Sequence, residues 1–378
     1  GASRLALEHA VMKAAVLKSP KNLALMDLPR PRCPPGGALI RVEACAVCGT
    51  DIKMLDQGHR DLCYPRILGH EVVGRIEEID RKVQADGRQL RAGELVQVWP
   101  GIACGHCHAC FRGADNRCRD MKIIGFNIDG GFAEYLALPL PAQSFSEHFG
   151  ISTALNRLPE EVDPALFTLA EPLACCINGQ EQARVGEGDS VLIWGGGPIG
   201  ALHALLAEMR GAGEILLAER LPGRIREIKR HTSARVIGWF SGNREEGQDP
   251  FEEAERTILS ETDGRGVDVI LTATPEVKID QRQMRLLAPG GRICIFSGPQ
   301  PGDYEGMIDL RSMHYLEQTI TGAYGCSSRQ NRMAASLLES GGIRANWIIT
   351  KRADLARISD AFEHSSRRAG LKSVVCAV

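Results

Sequence analysis

The sequence predicts an α/β protein of two domains, a β-rich domain followed by a doubly wound parallel sheet. The chain has 378 residues, more than a single hydrophobic core usually serves. From Met12 to about Leu138 it runs in short β-like segments that proline and glycine interrupt. From about residue 190 onward, strand-like and helix-like segments alternate, which is the pattern of a parallel sheet with helices on both faces.

The composition of the chain argues against some classes of binding partner. The formal net charge is -2 and lysine and arginine form no long block, so neither a nucleic acid nor an anionic membrane surface is a predicted partner. No apolar run reaches the roughly 18 residues of a membrane span, and no signal segment opens the chain. We therefore expect a cytoplasmic protein that acts on a small molecule.

The chain divides into segments at changes of pattern. Because the first strand is predicted to begin at "MKAAVL", residues 1–11 are interpreted as an appended or disordered segment outside the fold. The β-rich domain is expected over residues 12–174, with 326–378 returning to it, and the parallel sheet over 175–325. Six strands of that sheet are predicted, in "SVLIW", "EILLAE", "ARVIGWF", "VDVILTAT", "RICIFSG" and "QTITGAYG".

A glycine-rich turn follows the first strand of the predicted sheet. Its G-x-G-x-x-G pattern predicts a dinucleotide site, in which the turn and the helix N-terminus receive the pyrophosphate. The candidate cofactor residues are Gly195, Gly197, Pro198, Ile199, Gly200, Glu219 and Arg224. Glu219 ends the second strand, nineteen residues after Gly200, where a carboxylate can bind the ribose hydroxyls and repel a 2'-phosphate.

NAD is therefore predicted in preference to NADP. Arg220 weakens the preference, because a guanidinium beside that pocket can pair with a phosphate. The alternative is a glycine turn without a cofactor, with Glu219 as a solvated strand end.

Four cysteines lie within fifteen residues, in the spacing C-x2-C-x2-C-x7-C: Cys104, Cys107, Cys110 and Cys118. Four thiolates can surround Zn²⁺ as a closed tetrahedron, which leaves no position for a substrate. We therefore predict a structural zinc site here. An iron–sulfur cluster and a redox dithiol are the alternatives that the spacing leaves open.

A second set of metal-ligand residues comes from three separate segments. The candidates are Cys48 in "CGTD", His70 and Glu71 in "GHE", and Glu171 in "EPL". Three protein ligands with one open position are the arrangement of catalytic zinc. Each residue alone has a structural explanation, such as a buried cysteine or a histidine in a turn, and only the combination favours a metal site.

In their order along the chain, these motifs resemble the zinc-dependent medium-chain dehydrogenase/reductase superfamily. The resemblance covers residues 12–378 and runs through Cys-Gly-Thr-Asp, Gly-His-Glu, the four-cysteine loop, Glu-Pro-Leu and G-x-G-x-x-G. The Gly-His-Glu and Glu-Pro-Leu signatures are most similar to the sorbitol/threonine dehydrogenase-like branch. The resemblance implies a GroES-like β-rich catalytic domain, a Rossmann domain with a doubly wound parallel sheet, and a homodimer or homotetramer.

The resemblance also implies two zinc ions, one catalytic and one structural. The catalytic ion, bound by Cys48 and His70, would polarise an alcohol oxygen, and NAD would accept the hydride. Glu71 is the preferred third ligand, and Glu171 is expected to alternate with it or to act from outside the ligand set.

Further residues of the Cys-Gly-Thr-Asp segment are candidates for the reaction. Asp51 is expected to orient His70 by accepting its other ring N–H. Thr50 is expected to pass the alcohol proton outward. Lys53 stands where the family often has a histidine, so the end of the proton path stays open.

The sequence thus predicts a zinc- and NAD-dependent oxidoreductase that converts a secondary alcohol of a polyol, sugar or cyclitol to a ketone. A threonine-like amino-alcohol dehydrogenase is the nearest alternative, and it needs a carboxylate near the zinc to bind the ammonium group. From another class comes a non-catalytic zinc protein that binds a dinucleotide. A zinc-free quinone or enoyl reductase is disfavoured, because its chemistry needs no such ligands.

Overall fold

The computed structural model describes residues 10–80, 83–85, 88–139, 154–238, 250–300, 302 and 304–376. The chain divides into two compact units, one made of residues up to 174 with 326–341 and 349–378, the other of 175–325 and 342–348. Residues 342–348 therefore pack with the second unit, whereas the prediction places all of 326–378 in the first. The first strand begins at Val11, and residues 1–9 of the predicted appended segment lie outside the described part.

The strands are named in chain order. They are β1 (Val11–Ser19), β2 (Asn22–Pro29), β3 (Ala38–Val47), β4 (Arg66–Ile67), β5 (Glu71–Ile79), β6 (Gln84–Ala85), β7 (Arg88–Gln89), β8 (Leu95–Val98), β9 (Gly101–Ile102), β10 (Lys122–Ile123), β11 (Tyr135–Leu138), β12 (Leu155–Arg157), β13 (Ser190–Trp194), β14 (Glu214–Glu219), β15 (Arg235–Gly238), β16 (Val267–Thr272), β17 (Leu287–Ile295), β18 (Thr319–Gly322), β19 (Ile349–Asp354) and β20 (Lys372–Cys376).

The helices are named in the same way. They are α1 (Gly49–Gln57), α2 (His108–Phe111), α3 (Pro164–Phe167), α4 (Ala170–Gln182), α5 (Pro198–Met209), α6 (Pro222–His231), α7 (Pro250–Glu261), α8 (Gln281–Arg285), α9 (Leu310–Tyr315), α10 (Ser328–Glu339) and α11 (Ile358–Ser366).

The first unit is built on a seven-stranded sheet with the order β12-β8-β5-β3-β20-β19, and β11 pairs with β3 in addition. Its central strand, β3, pairs antiparallel with both β5 and β20. Ala46 of β3 is opposite Glu71 on one side and Val374 on the other. Because Glu71 and Lys372 begin their strands, both lie beside the end of β3, immediately before Cys48.

The second unit is a six-stranded parallel sheet with the order β15-β14-β13-β16-β17-β18. This order places the first strand in the middle, with later strands added on either side, as in a Rossmann fold. Every residue of β13 is buried, as a central strand covered on both faces requires. The predicted α/β fold class and all six predicted strands are confirmed.

Within the described residues, no helix combines the length and the apolar character that a membrane span requires.

Candidate active site

The three segments that hold the scattered ligand candidates meet at one end of the seven-stranded sheet. Cys48 follows β3, whereas His70 precedes β5 and Glu71 begins it. The sulfur of Cys48, a ring nitrogen of His70 and a carboxylate oxygen of Glu71 all lie within 4.8 Å of one another. His70 and Glu71 are buried and Cys48 is partly exposed, so the group has one side open to solvent.

Cys48 is also the N-cap of α1. Its sulfur accepts a hydrogen bond from the backbone N–H of Thr50 at 3.5 Å, and its own backbone N–H donates to Oδ2 of Asp51 at 2.8 Å. The sulfur also accepts from the backbone N–H of Asp51, and this bond and the Asp51 side-chain bond together form a capping box in which cysteine takes the place of serine. The sulfur therefore lies at the end of the helix where negative charge is stabilised.

Asp51 faces His70 with its other oxygen. Oδ1 of Asp51 is 3.6 Å from Nδ1 of His70, and both side chains are almost fully buried. Burial lowers the pKa of His70, but the charges of Asp51 and Cys48 outweigh it and hold that pKa well above its usual value. Nδ1 faces the carboxylate of Asp51, which leaves Nε2 as the ring nitrogen available to a metal.

Glu71 is held by a lysine that the sequence analysis missed. Nζ of Lys372 donates to Oε1 of Glu71 at 2.6 Å, and the two side chains are 5% and 0% exposed. Burial lowers the pKa of Lys372, but the carboxylate of Glu71 and the sulfur of Cys48 raise it above its usual value. A lysine inside an otherwise apolar strand, as in "LKSVV", is the signal that could have indicated it.

The donor set fits zinc. Oδ1 of Asp51, Nδ1 of His70 and Oε2 of Glu71 are buried and have no hydrogen-bond partner among the described residues. An unpaired buried polar atom is costly, and a metal ion bound to Oε2 of Glu71 would supply its missing partner, whereas Nδ1 of His70 and Oδ1 of Asp51 face each other at 3.6 Å. One sulfur, one imidazole and one carboxylate are ligand types that Zn²⁺ accepts together.

Glu171 does not join this group. Its carboxylate lies within 4.8 Å of the sulfur of Cys326 instead. Between the two glutamates that the sequence leaves as third ligands, the geometry therefore favours Glu71.

The ring of His70 contacts Phe126, which in turn contacts His59. The ring centroids of His70 and Phe126 are 5.4 Å apart, and those of Phe126 and His59 are 5.2 Å apart with the rings nearly perpendicular. The backbone N–H of Asp61 donates to Nδ1 of His59 at 3.2 Å, so Nε2 of His59 is its N–H donor. Phe126 and His59 thus form a partly apolar wall beside the candidate metal ligands.

The four-cysteine loop brings its thiols together. The sulfurs of the loop all lie within 4.8 Å of one another: Cys104, Cys107, Cys110 and Cys118. The backbone N–H of Cys110 donates to the sulfur of Cys107 and lowers the pKa of Cys107 to about 6, whereas burial raises that of Cys110. Four sulfurs at this separation are the donor set of a structural zinc.

The glycine turn lies between β13 and α5. Gly195 has a φ of +98°, which is rare for any residue with a side chain. A Cβ on Gly200 would lie 1.8 Å from the carbonyl oxygen of Gly195, so only glycine allows this approach of helix and strand. Gly197 caps α5, whose first residues are Pro198 and Ile199.

Glu219 closes this turn from the end of β14. Its carboxylate accepts hydrogen bonds from the backbone N–H groups of Gly196 (2.9 Å), Arg220 (2.7 Å) and Leu221 (2.9 Å). Nη1 of Arg224 is 3.9 Å from Oε2 of Glu219. The guanidinium of Arg220 binds Glu276 at 2.9 Å, so it is already engaged by a carboxylate.

The comparison with protein families matches the first unit. The family described as the alcohol dehydrogenase GroES-like domain matches residues 34–144. This range contains α1, the Gly-His-Glu segment and the four-cysteine loop. The predicted GroES-like domain is thereby confirmed.

Similar proteins span nearly the whole chain. The chain is 31% identical to the L-threonine 3-dehydrogenase of Pyrococcus horikoshii over 352 residues, covering 90% of this chain and 91% of that protein. It is 27% identical to the L-galactonate-5-dehydrogenase of Escherichia coli K12 over 368 residues, covering 96% and 98%. A crystal structure assigned to a zinc-binding dehydrogenase of Sinorhizobium meliloti 1021, bound to NADP, has a TM-score of 0.82 at 27% identity and covers 97% of this chain and 100% of that one.

Proposed function

The chain belongs to the medium-chain dehydrogenase superfamily, and on this basis we propose that it oxidises a secondary alcohol to a ketone with NAD as the hydride acceptor. The observation that carries the proposal is the group of Cys48, His70 and Glu71, whose donor atoms lie within 4.8 Å of one another. The unpaired buried Oε2 of Glu71 supports a metal at this place.

A zinc ion at this site would act as a Lewis acid that polarises the alcohol oxygen and lowers its pKa. The chain's own residues prepare the site. Asp51 keeps Nδ1 of His70 turned away from the ligand position, and the capping box fixes Cys48. The hydroxyl of Thr50, the partly exposed second residue of α1, receives the alcohol proton, and the exposed Lys53 lies further toward solvent.

The second zinc has a structural role in this proposal. The four thiols of the loop 104–118 fill a tetrahedral shell, so a substrate has no coordination position there.

For the cofactor we propose NAD in preference to NADP. Glu219 lies beside the glycine turn, and its negative charge would oppose a 2'-phosphate. Arg220, the residue best suited to pair with that phosphate, is bound to Glu276. Arg224 would contact the ribose side of the site together with Glu219.

For the substrate we propose a polyol, sugar or cyclitol. The L-galactonate-5-dehydrogenase among the relatives supports a polyhydroxylated substrate. The second candidate is an amino alcohol, which the L-threonine 3-dehydrogenase supports. Glu171, whose charge acts on Lys372 beside the metal ligands, is the carboxylate that an ammonium group would need.

We also propose a homodimer or homotetramer in the cytoplasm. Four large apolar side chains within twelve residues are between 73% and 88% exposed: Tyr304, Met307, Leu310 and Tyr315. An apolar surface of this kind is typical of an interface, and β18 beside it is an edge strand. The five cysteines among the metal-ligand candidates suit a reducing compartment.

The test is the reduction of NAD and NADP by the zinc-loaded protein with polyols, cyclitols, amino alcohols and simple secondary alcohols. The proposal predicts NADH formation, fastest with a polyhydroxylated secondary alcohol, and Glu219→Ala should reduce the preference for NAD over NADP. Fastest turnover of L-threonine would favour the second candidate. No turnover with any alcohol, at full zinc occupancy, would contradict the proposed activity.

A further inference from the structure

Lys372 is buried at the end of the sheet where the ligand candidates meet. It begins β20, and its side chain is only 5% exposed. Its ammonium group donates to Oε1 of Glu71 at 2.6 Å, across 301 positions of sequence. A lysine is rarely buried to this degree unless it is paired.

The pair leaves one oxygen of Glu71 unused. Oε2 of Glu71 is buried and has no hydrogen-bond partner in the described part of the chain, while Oε1 is occupied by Lys372. The two oxygens are therefore differentiated, one facing a fixed cation and the other free to bind something else. Oε2 is on the same carboxylate that approaches Cys48 and His70.

We propose that Lys372 is a positioning residue of the candidate zinc site, which binds Oε1 of Glu71 and directs Oε2 toward the metal. The inference rests on the proposed function, because it assumes a metal bound by Cys48, His70 and Glu71. A lysine that only stabilised the fold would affect unfolding and leave the affinity for the metal unchanged.

The test is the affinity of the full-length protein for its second equivalent of Zn²⁺, measured by competition with a chelator. The zinc of the four-cysteine loop serves as an internal reference. Lys372→Met should lower the affinity for the second equivalent of Zn²⁺ by about 10- to 100-fold, which is the usual effect of removing a group that supports a metal ligand. Lys372→Arg, which keeps the charge and the donors, should restore most of the affinity.

Lys13→Met is the matched control. Lys13 also pairs with a carboxylate, Asp27 at 2.9 Å, but both side chains are more than half exposed. This variant should bind both zinc equivalents as the wild type does.

Lys372→Gln keeps the test decisive if Lys372→Met does not fold. It replaces the charge-assisted hydrogen bond to Glu71 by a neutral one, which holds the carboxylate less firmly, so it should still weaken binding of the second zinc equivalent. Wild-type affinity in either folded neutral variant would overturn the inference while leaving the proposed function intact. A wild-type protein that binds only one equivalent would instead contradict the proposed function.

Discussion

His203, a buried histidine on α5, makes the stability of the second unit depend on pH. Its side chain is fully buried, and its ring packs edge-on against Phe296 at 4.7 Å. Burial and the nearby charge of Arg210 lower the pKa of His203 from 6.5 to about 3. The folded protein therefore keeps this ring neutral at pH values where the unfolded chain protonates it.

We predict that acid destabilises the wild-type protein more than it destabilises the His203→Gln variant. Between about pH 6.5 and pH 3 the unfolded chain binds the extra proton, so the free energy of unfolding falls as the pH falls. Each pKa unit corresponds to about 1.4 kcal/mol. Between pH 7.5 and pH 5 the wild type should therefore lose about 2 kcal/mol more of its free energy of unfolding than the His203→Gln variant loses. Urea unfolding at the two pH values measures it.

The comparison of the two proteins removes the contribution of other groups, including the zinc ligands, because those groups are the same in both. Equal losses of stability in wild type and His203→Gln would show that His203 is not protonated on unfolding in this range.

The N-terminus of helix α10 is held by hydrogen bonds to the four-cysteine loop. Its own capping box is formed by Ser327 and Gln330. Asp115, in the four-cysteine loop, accepts hydrogen bonds from the backbone N–H of Ser328 at 3.0 Å and from its hydroxyl. One turn later, the amide of Asn331 donates to Gln97 of β8 at 2.7 Å, in the interior. The loop therefore fixes a helix more than 200 positions away in sequence.

Asp115→Ala should loosen the first turn of α10. It removes both acceptors of Ser328 and leaves a buried N–H unpaired, at a cost of about 2 kcal/mol. Hydrogen–deuterium exchange of the backbone amides of 328–332 should become faster.

Asp309→Ala is the control for this prediction. Asp309 caps α9 through the N–H of Arg311 at 3.0 Å, but it does so on an exposed helix of the other unit. Exchange in α10 should be unchanged in this variant. Unchanged exchange in Asp115→Ala as well would mean that the loop does not hold α10.

For the molecule as a whole, local pattern was enough to predict the fold, because the six strands of the parallel sheet are each short apolar runs between helices. The ligand candidates followed from residue type and order. Lys372 did not, because its partner Glu71 is 301 positions away and no local pattern links them. For the same reason the sequence could not decide whether Glu71 or Glu171 is the third metal ligand, since only the folded chain shows which carboxylate approaches Cys48.

The central claim is that one chain holds two zinc ions with separate roles, and the zinc content per chain of purified wild type, Cys48→Ser and Cys104→Ser tests it most directly. We predict two zinc ions in the wild type. Cys48→Ser should contain one, remain folded and lose turnover, because the four-cysteine loop stays complete. Cys104→Ser should lose the loop zinc and unfold at lower temperature, since its metal holds the loop together. One zinc in the wild type, or two in Cys48→Ser, would contradict the account.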